Sequence, residues 1–190
     1  MSVAPLHLKR WTRDEFHRVI ESGLMEPSKR LELVDGQIVE KMTHHPPHVI
    51  CIEAITRLLI LRVGQTHSIR SQAPIALSDI SEPEPDLTVV PGRPADYLKG
   101  HPTPEQIDML IEVSDSSLDR DRRYKVPLYA KAGIREVWLV DVDGRRLEAY
   151  REPSPEGYRI VTTLAYTERL APLFAPGILI NVIDLLPPAQ

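Results

Sequence analysis

A chain of 190 residues that is 42% apolar and 26% charged has the balance of an ordinary globular protein, and a single domain over residues 1–190 is expected. A formal charge of −4 argues against a surface devoted to duplex backbone, because affinity for phosphate comes largely from Lys and Arg, yet it suits an enzyme that gathers carboxylates around a metal ion. The single cysteine, Cys51, excludes an internal disulfide, no apolar run approaches the roughly 18 residues of a membrane span, and MSVAPLHLKRW lacks a signal-peptide core, so a cytoplasmic protein away from membranes is expected.

Thr12-Arg13-Asp14-Glu15 is a capping box, in which the Thr12 hydroxyl can accept from first-turn amides while Glu15 reaches back. A short helix is expected from about residue 13 to 22, ended by Gly23. Residues 30–34 and 37–42 flank Asp35-Gly36, the dipeptide favoured where both central residues of a hairpin turn need positive φ. Alternation puts Leu31 and Leu33 on one face of the hairpin and Glu32 and Val34 on the other, so Glu32 is either a cleft residue or an exposed one.

Next, HVICIEAITRLLILRV, entered through Pro47, places Val49, Ile52, Ile55, Leu58, Leu59 and Arg62 at helical spacing and predicts one long, mostly buried helix to about Val63. Residues 68–77 and 86–90 read as strands, with Pro74 putting the first at an edge or a bulge. Residues 91–105 are a Pro- and Gly-rich loop. Residues 109–114 form a strand that is apolar on both faces except at Glu112. The run DSSLDRDRRYKVPLYAKAG is a turn and a helix ended by Gly133, with Pro127 in its first turn or at a kink. Residues 136–141 are another buried strand, joined through Asp143-Gly144 to 146–151, and 157–164 add one more. Strand, helix, strand implies a right-handed crossover between parallel neighbours. The fold class is α/β (α+β): a mixed sheet flanked by helices, with an N-terminal helix and a β-hairpin.

Two carboxylates sit where apolar residues are expected. In EPEPDLTVV the prolines force an extended approach, so Asp86 is held at the mouth of a strand. Glu112, inside LIEV, would be costly to bury alone and must take a proton, an ion pair or a cation. Lys125 lies on the helix that follows. Two acids and a lysine are what metal-assisted phosphodiester hydrolysis requires: the acids fix a divalent ion, the ion lowers the pKa of a water and polarises the phosphate, and the lysine neutralises growing charge.

Pro85-Asp86, followed 112 − 86 = 26 residues later by Glu112-Val113-Ser114, resembles the PD-(D/E)XK motif of restriction-endonuclease-like nucleases. More closely, the order RLELVDGQIVEKM, His48, EPEPDLTVV and LIEVSDSSLDRDRRYKVPLYAKAGIREVWLVD resembles a bacterial family described as restriction endonucleases and otherwise as a domain of unknown function. The likeness runs from about Trp11 to Leu186, and its specific part is 110–141.

The resemblance implies a divalent-metal-dependent DNA endonuclease of restriction-endonuclease-like fold that attacks through a metal-activated water. Asp86 and Glu112 then ligate Mg²⁺ or Mn²⁺, the Val113 carbonyl is a further ligand, and Lys125 positions the water or stabilises the phosphorane. Glu32 corresponds to an upstream acid that borders such sites, and Gln72 to polar support from the neighbouring strand. Ser114 stands where the motif has lysine; some branches supply that lysine from the adjoining helix, the place Lys125 holds. DNA is the implied partner, and a homodimer is expected because cutting both strands needs two sites.

Plainer readings stay open at this stage. Asp86 could be a strand-start residue, Glu112 could form a structural ion pair with Lys125 or Arg122, and Lys125 competes with Arg122, Arg123 and Lys131. The alternative function is a chain that keeps the fold but binds nucleic acid or a protein without cutting. In HHPPH the prolines oppose the helical geometry that would aim His44 and His48 together, so a loop and helix entry is expected, with His48 free to face the cleft. Cys51, in apolar company, is expected to be a buried, inert thiol.

Overall fold

The computed structural model describes residues 8–25, 30–41, 45–115 and 117–188; Met42, His44 and Ser116, read above, lie outside the described residues. Helix α1 (Arg13–Glu21) starts at the capping box, with the Thr12 oxygen accepting from the Glu15 amide and the Glu15 carboxylate accepting from the Thr12 amide at 2.9 Å. Gly23 leaves it at φ +71°. Strands β1 (Leu31–Val34) and β2 (Gln37–Glu40) pair antiparallel around Asp35 and Gly36, both at positive φ, as the turn dipeptide requires.

Helix α2 (Pro46–Val63) begins on two prolines that fill positions whose amides would have no helical partner. Its buried face is His48, Cys51, Ile52, Ile55, Leu59 and Val63. The expected stripe is corrected at Val49, which is 41% exposed, and Ile60 and Leu61 also face outward. The segment is apolar nearly all round, so its spacing alone did not say which arc would meet the sheet.

Strand β3 (His67–Ser71) ends earlier than the expected 68–77. Gln72 turns the chain at φ +47°, its amide donating to the Asp86 carbonyl at 2.9 Å, and the following residues bond irregularly, Ile75 to Pro83 and Ala76 to Pro102. Pro74 therefore lies outside the sheet. The six-stranded sheet runs β3, β4 (Leu87–Pro91), β5 (Met109–Ser114), β6 (Glu136–Asp141), β7 (Arg146–Ser154), β8 (Gly157–Ala165). All neighbours are antiparallel except β5 and β6, which are parallel, as the strand, helix, strand order implied. The connection between them is α3 (Leu118–Arg120), a π-helical turn (Asp121–Lys125) and α4 (Val126–Lys131) without a break.

The π turn has a local cause. Pro127 has no amide to donate, and its ring would press on the carbonyl four residues back; widening the turn, with the Val126 amide on the Asp121 carbonyl, accommodates it. Beyond the sheet, β9 (Arg169–Leu170) and β10 (Ile180–Asn181) pair as a short ribbon.

Alternation along β5 divides the core. Met109, Ile111 and Val113 pack with Cys51, Ile55 and Leu59 of α2, while Leu110 packs with Val126 and Tyr129 of α4. The sheet is thus sandwiched, and Glu112 and Ser114 share the α4 side with Leu110. Full burial of aliphatic side chains such as Ile55, Leu59 and Ile111 stabilises the sandwich by about 1.5–3 kcal/mol each.

Cys51 is fully buried, donates to the Leu185 carbonyl at 2.7 Å, and is pushed up to about 12 by burial. It is expected to ignore a thiol reagent at about pH 8 in the folded protein and to react only on unfolding. Rapid stoichiometric labelling of the native chain would contradict this packing.

Candidate active site

The sheet register brings the two acids together. Leu87 pairs with Ile111 in an antiparallel ladder, so one step outward Asp86 stands beside Glu112. The Val113 amide donates to Asp86 Oδ2 at 2.8 Å. Asp86 is 4% exposed and Glu112 1% exposed.

The approach to Asp86 is held from three sides. Glu82, itself buried, takes Arg13 Nε at 2.9 Å and His17 Nε2 at 2.6 Å from α1. Glu32 is buried too, and its Oε2 accepts from the Glu84 amide at 3.1 Å. Lys41 Nζ donates to the Glu84 carbonyl at 2.7 Å. The EPEP segment is therefore a stiff strap between helix, hairpin and sheet, and Glu32 is a buried cleft residue that fastens it.

Glu112 receives two donors from the helix across the sheet. Lys125 Nζ reaches its Oε2 at 3.0 Å, and the Tyr129 hydroxyl donates to its Oε1 at 2.5 Å. The other helix cations do not compete: Arg122 is bound to Glu148, while Arg123 and Lys131 are exposed on the cavity wall. Ser114, in the motif's lysine position, donates instead to the buried Asp121, which also takes Ser117 Oγ at 2.6 Å. That bond ties the end of β5 to the π turn carrying Lys125.

His48 reaches the same place from the first turn of α2, with Nε2 3.3 Å from Asp86 Oδ1. Burial opposes its charge, but the nearby Asp86 carboxylate raises its affinity for a proton. Gln72 meets Asp86 through its main chain and does not line the cavity. His45 caps α2 without a side-chain bond.

The electrostatics of the two acids diverge. Burial pushes Asp86 up, yet the nearby His48, the charge of Lys125 and the Val113 amide prevail and hold it at about 2. For Glu112 burial wins: despite Lys125, and with Asp86 and Asp121 adding like charge, it is raised to about 7. Burial pushes the Lys125 pKa down, but Glu112, Glu32 and Asp86 around it raise it above the usual lysine range. A cleft whose inner carboxylate holds a proton this tightly is short of positive charge.

All of these groups open onto a cavity of about 670 Å³ between the hairpin and α3–α4, lined by Glu32, Asp86, Glu112, Val113 and Lys125 among others. The donor set fits a hard divalent cation: two carboxylates and the Val113 carbonyl offer oxygen alone. Among the described residues no three His, Cys, Asp or Glu side chains converge into a complete metal cage.

Tyr129 was not foreseen. Its signal lies in the spacing: Asp121, Lys125 and Tyr129 recur every four residues, one face of a helix.

The mixed sheet, its parallel β5–β6 crossover and the two acids on its neighbouring inner strands give a restriction-endonuclease-like fold. The chain belongs to the Uma2 family, described as "putative restriction endonuclease", whose model matches residues 13–182. A solved structure described as that of a putative nuclease belonging to DUF820, from Anabaena variabilis, superposes with a TM-score of 0.70 at 18% identity, covering 92% of this chain and 96% of that one. No curated protein matches. Among the described residues no helix is long and apolar enough to cross a membrane.

Proposed function

We propose that this protein is a divalent-metal-dependent endonuclease that hydrolyses DNA phosphodiester bonds. The observation that carries the reading is the meeting of Asp86, Glu112 and Lys125 at the floor of an open cavity, in a family described by nuclease activity. Asp86, Glu112 and the Val113 carbonyl would hold Mg²⁺ or Mn²⁺. Such an ion, when bound, supplies Lewis-acid polarisation of the phosphate and a water of lowered pKa.

The chain's own groups do the rest. The Val113 amide and His48 fix the Asp86 carboxylate so that it needs no reorganisation. Tyr129 holds one oxygen of Glu112 and so aims the other toward Lys125. Lys125 stays cationic and offsets negative charge as it gathers on the phosphorus oxygens. Glu32 keeps the strap bearing Asp86 in place.

The test is cleavage of supercoiled and linear DNA in Mg²⁺, Mn²⁺ and EDTA, with Asp86→Ala purified in parallel to expose contaminating nuclease. Metal-dependent cutting that disappears in the variant is the expected result. Cutting by Asp86→Ala at the wild-type rate overturns the reading, and so does absence of both cutting and calorimetric metal binding, which favours a fold that binds without cleaving. Double-strand scission would call for two copies, and sedimentation should then find a homodimer.

A further inference from the structure

Tyr124 lies on the cavity wall, and the chemistry above does not use it. Its ring is 68% exposed, and among the described residues its hydroxyl makes no hydrogen bond and its ring stacks on no other ring or cation. A single exposed tyrosine is ordinary on a protein surface. The surroundings of this one are not. Arg120 and Arg123 are exposed on the same helical lip, and Leu128 continues it with apolar surface. The hairpin residues Val34 and Val39 line the same cavity from the other element.

Cations beside a bare aromatic ring and an aliphatic wall, above a carboxylate floor, match the parts of one nucleotide: backbone phosphate, base face and scissile linkage. A duplex keeps its base faces stacked inside and offers such a ring phosphates, sugars and groove edges but no base face. An unpaired nucleotide can lay its base on the ring.

We propose that Tyr124 is a stacking platform for an unpaired nucleobase next to the scissile phosphate. The substrate class is then single-stranded nucleic acid, or a duplex from which one base is extruded. The position of the phosphate rests on the nuclease reading above; the platform itself is tested by binding alone.

Fluorescence anisotropy at fixed salt, in EDTA and again in Ca²⁺, compares a short oligothymidine with an abasic oligomer of the same length, for wild type, Tyr124→Ala and Tyr124→Trp. The exposed side chain can be removed without disturbing the core. Wild type is expected to prefer the oligothymidine. Tyr124→Ala should bind it about tenfold more weakly while leaving the abasic oligomer unchanged, and Tyr124→Trp should retain the preference.

A duplex carrying 2-aminopurine separates the two sources. A fluorescence rise on binding wild type and not Tyr124→Ala assigns extrusion; a Tyr124-dependent preference confined to free single strands assigns single-stranded substrate. Equal affinity of wild type for normal and abasic oligomers, unchanged affinity in Tyr124→Ala, or no binding of either oligomer in both conditions overturns the platform. Loss of the nuclease reading looks different: no metal-dependent cleavage, with base-dependent binding through Tyr124 intact.

Discussion

On the proposed nuclease reading, Glu112→Gln is expected to lower metal-dependent cleavage by at least about a hundredfold, since losing a carboxylate proposed to hold the metal removes several kcal/mol of transition-state stabilisation. The same variant should also change how stability depends on pH, in a direction fixed by the sign of one shift. Burial, opposed by Lys125, raises Glu112 from its ordinary 4.5 to about 7. The folded chain therefore holds this proton more tightly than the unfolded chain. The resulting stability is fully present below about pH 4.5 and is lost as pH rises through about 7, a change on the order of 3 kcal/mol.

Asp86 works in the opposite sense and elsewhere on the scale: lowered from 3.8 to about 2, it contributes stability above 3.8 that is lost as pH falls through about 2. His48, raised from 6.5, adds stability below 6.5 that is lost at higher pH, a part of it through the charge of Glu112 itself. Glutamine cannot titrate, so the difference between the two profiles reports Glu112 together with the groups its charge shifts, His48 and Lys125. Denaturant titrations in EDTA across about pH 4.5 to 8 should give a flatter profile for Glu112→Gln. Parallel profiles would mean that the buried carboxylate holds no extra proton, and the charge deficit argued for the cleft would fall with it.

How much of this was readable from residues depends on whether the cause was local. The capping box, the Asp35-Gly36 turn and the strands around Glu112 and Trp138 follow from short-range rules, and their boundaries agree with the folded chain to within a residue or two. The early end of β3 does not, because Gln72 turns where its amide finds the Asp86 carbonyl, a partner set by tertiary structure. The exposed arc of α2 was hidden for a related reason: a segment with apolar residues on every side carries no directional signal.

The site shows the same division. Asp86 and Glu112 stand out because one carboxylate is held at the mouth of an apolar strand and the other interrupts one. Yet Glu136 begins β6 just as oddly, is fully buried, and is satisfied by Arg151, the Trp138 indole and the Leu173 amide. Sequence patterning detects a buried acid; only the fold tells one sealed among structural donors from one open to a cavity. Tyr129 escaped notice because a tyrosine on a buried helix face looks like core until its hydroxyl is seen on Glu112.

Lys125→Met should produce the largest loss of stability of any single change in the cleft. The Lys125 side chain is 14% exposed, and its Nζ sits 3.0 Å from Oε2 of the Glu112 side chain, itself 1% exposed. Removing it leaves Glu112 with Tyr129 and no counter-charge, a defect that costs about 3–5 kcal/mol at neutral pH. The deficit should shrink on acidification, because Glu112, freed of the cation that opposes its rise above about 7, then takes up its proton at less cost. Replacing both partners tells more: a buried pair exchanged as a unit for uncharged groups is often nearly neutral, so Glu112→Gln/Lys125→Met should be more stable than Lys125→Met alone, with a coupling energy of about 2 kcal/mol or more. Additive losses across that cycle would mean that the two charges do not compensate each other, and Lys125 could no longer be placed as the cation of this site. If the pair couples as expected while both single variants lose cleavage, then the ion pair that holds the cleft together and the groups that cut DNA are the same atoms, and stability and activity cannot be improved independently there.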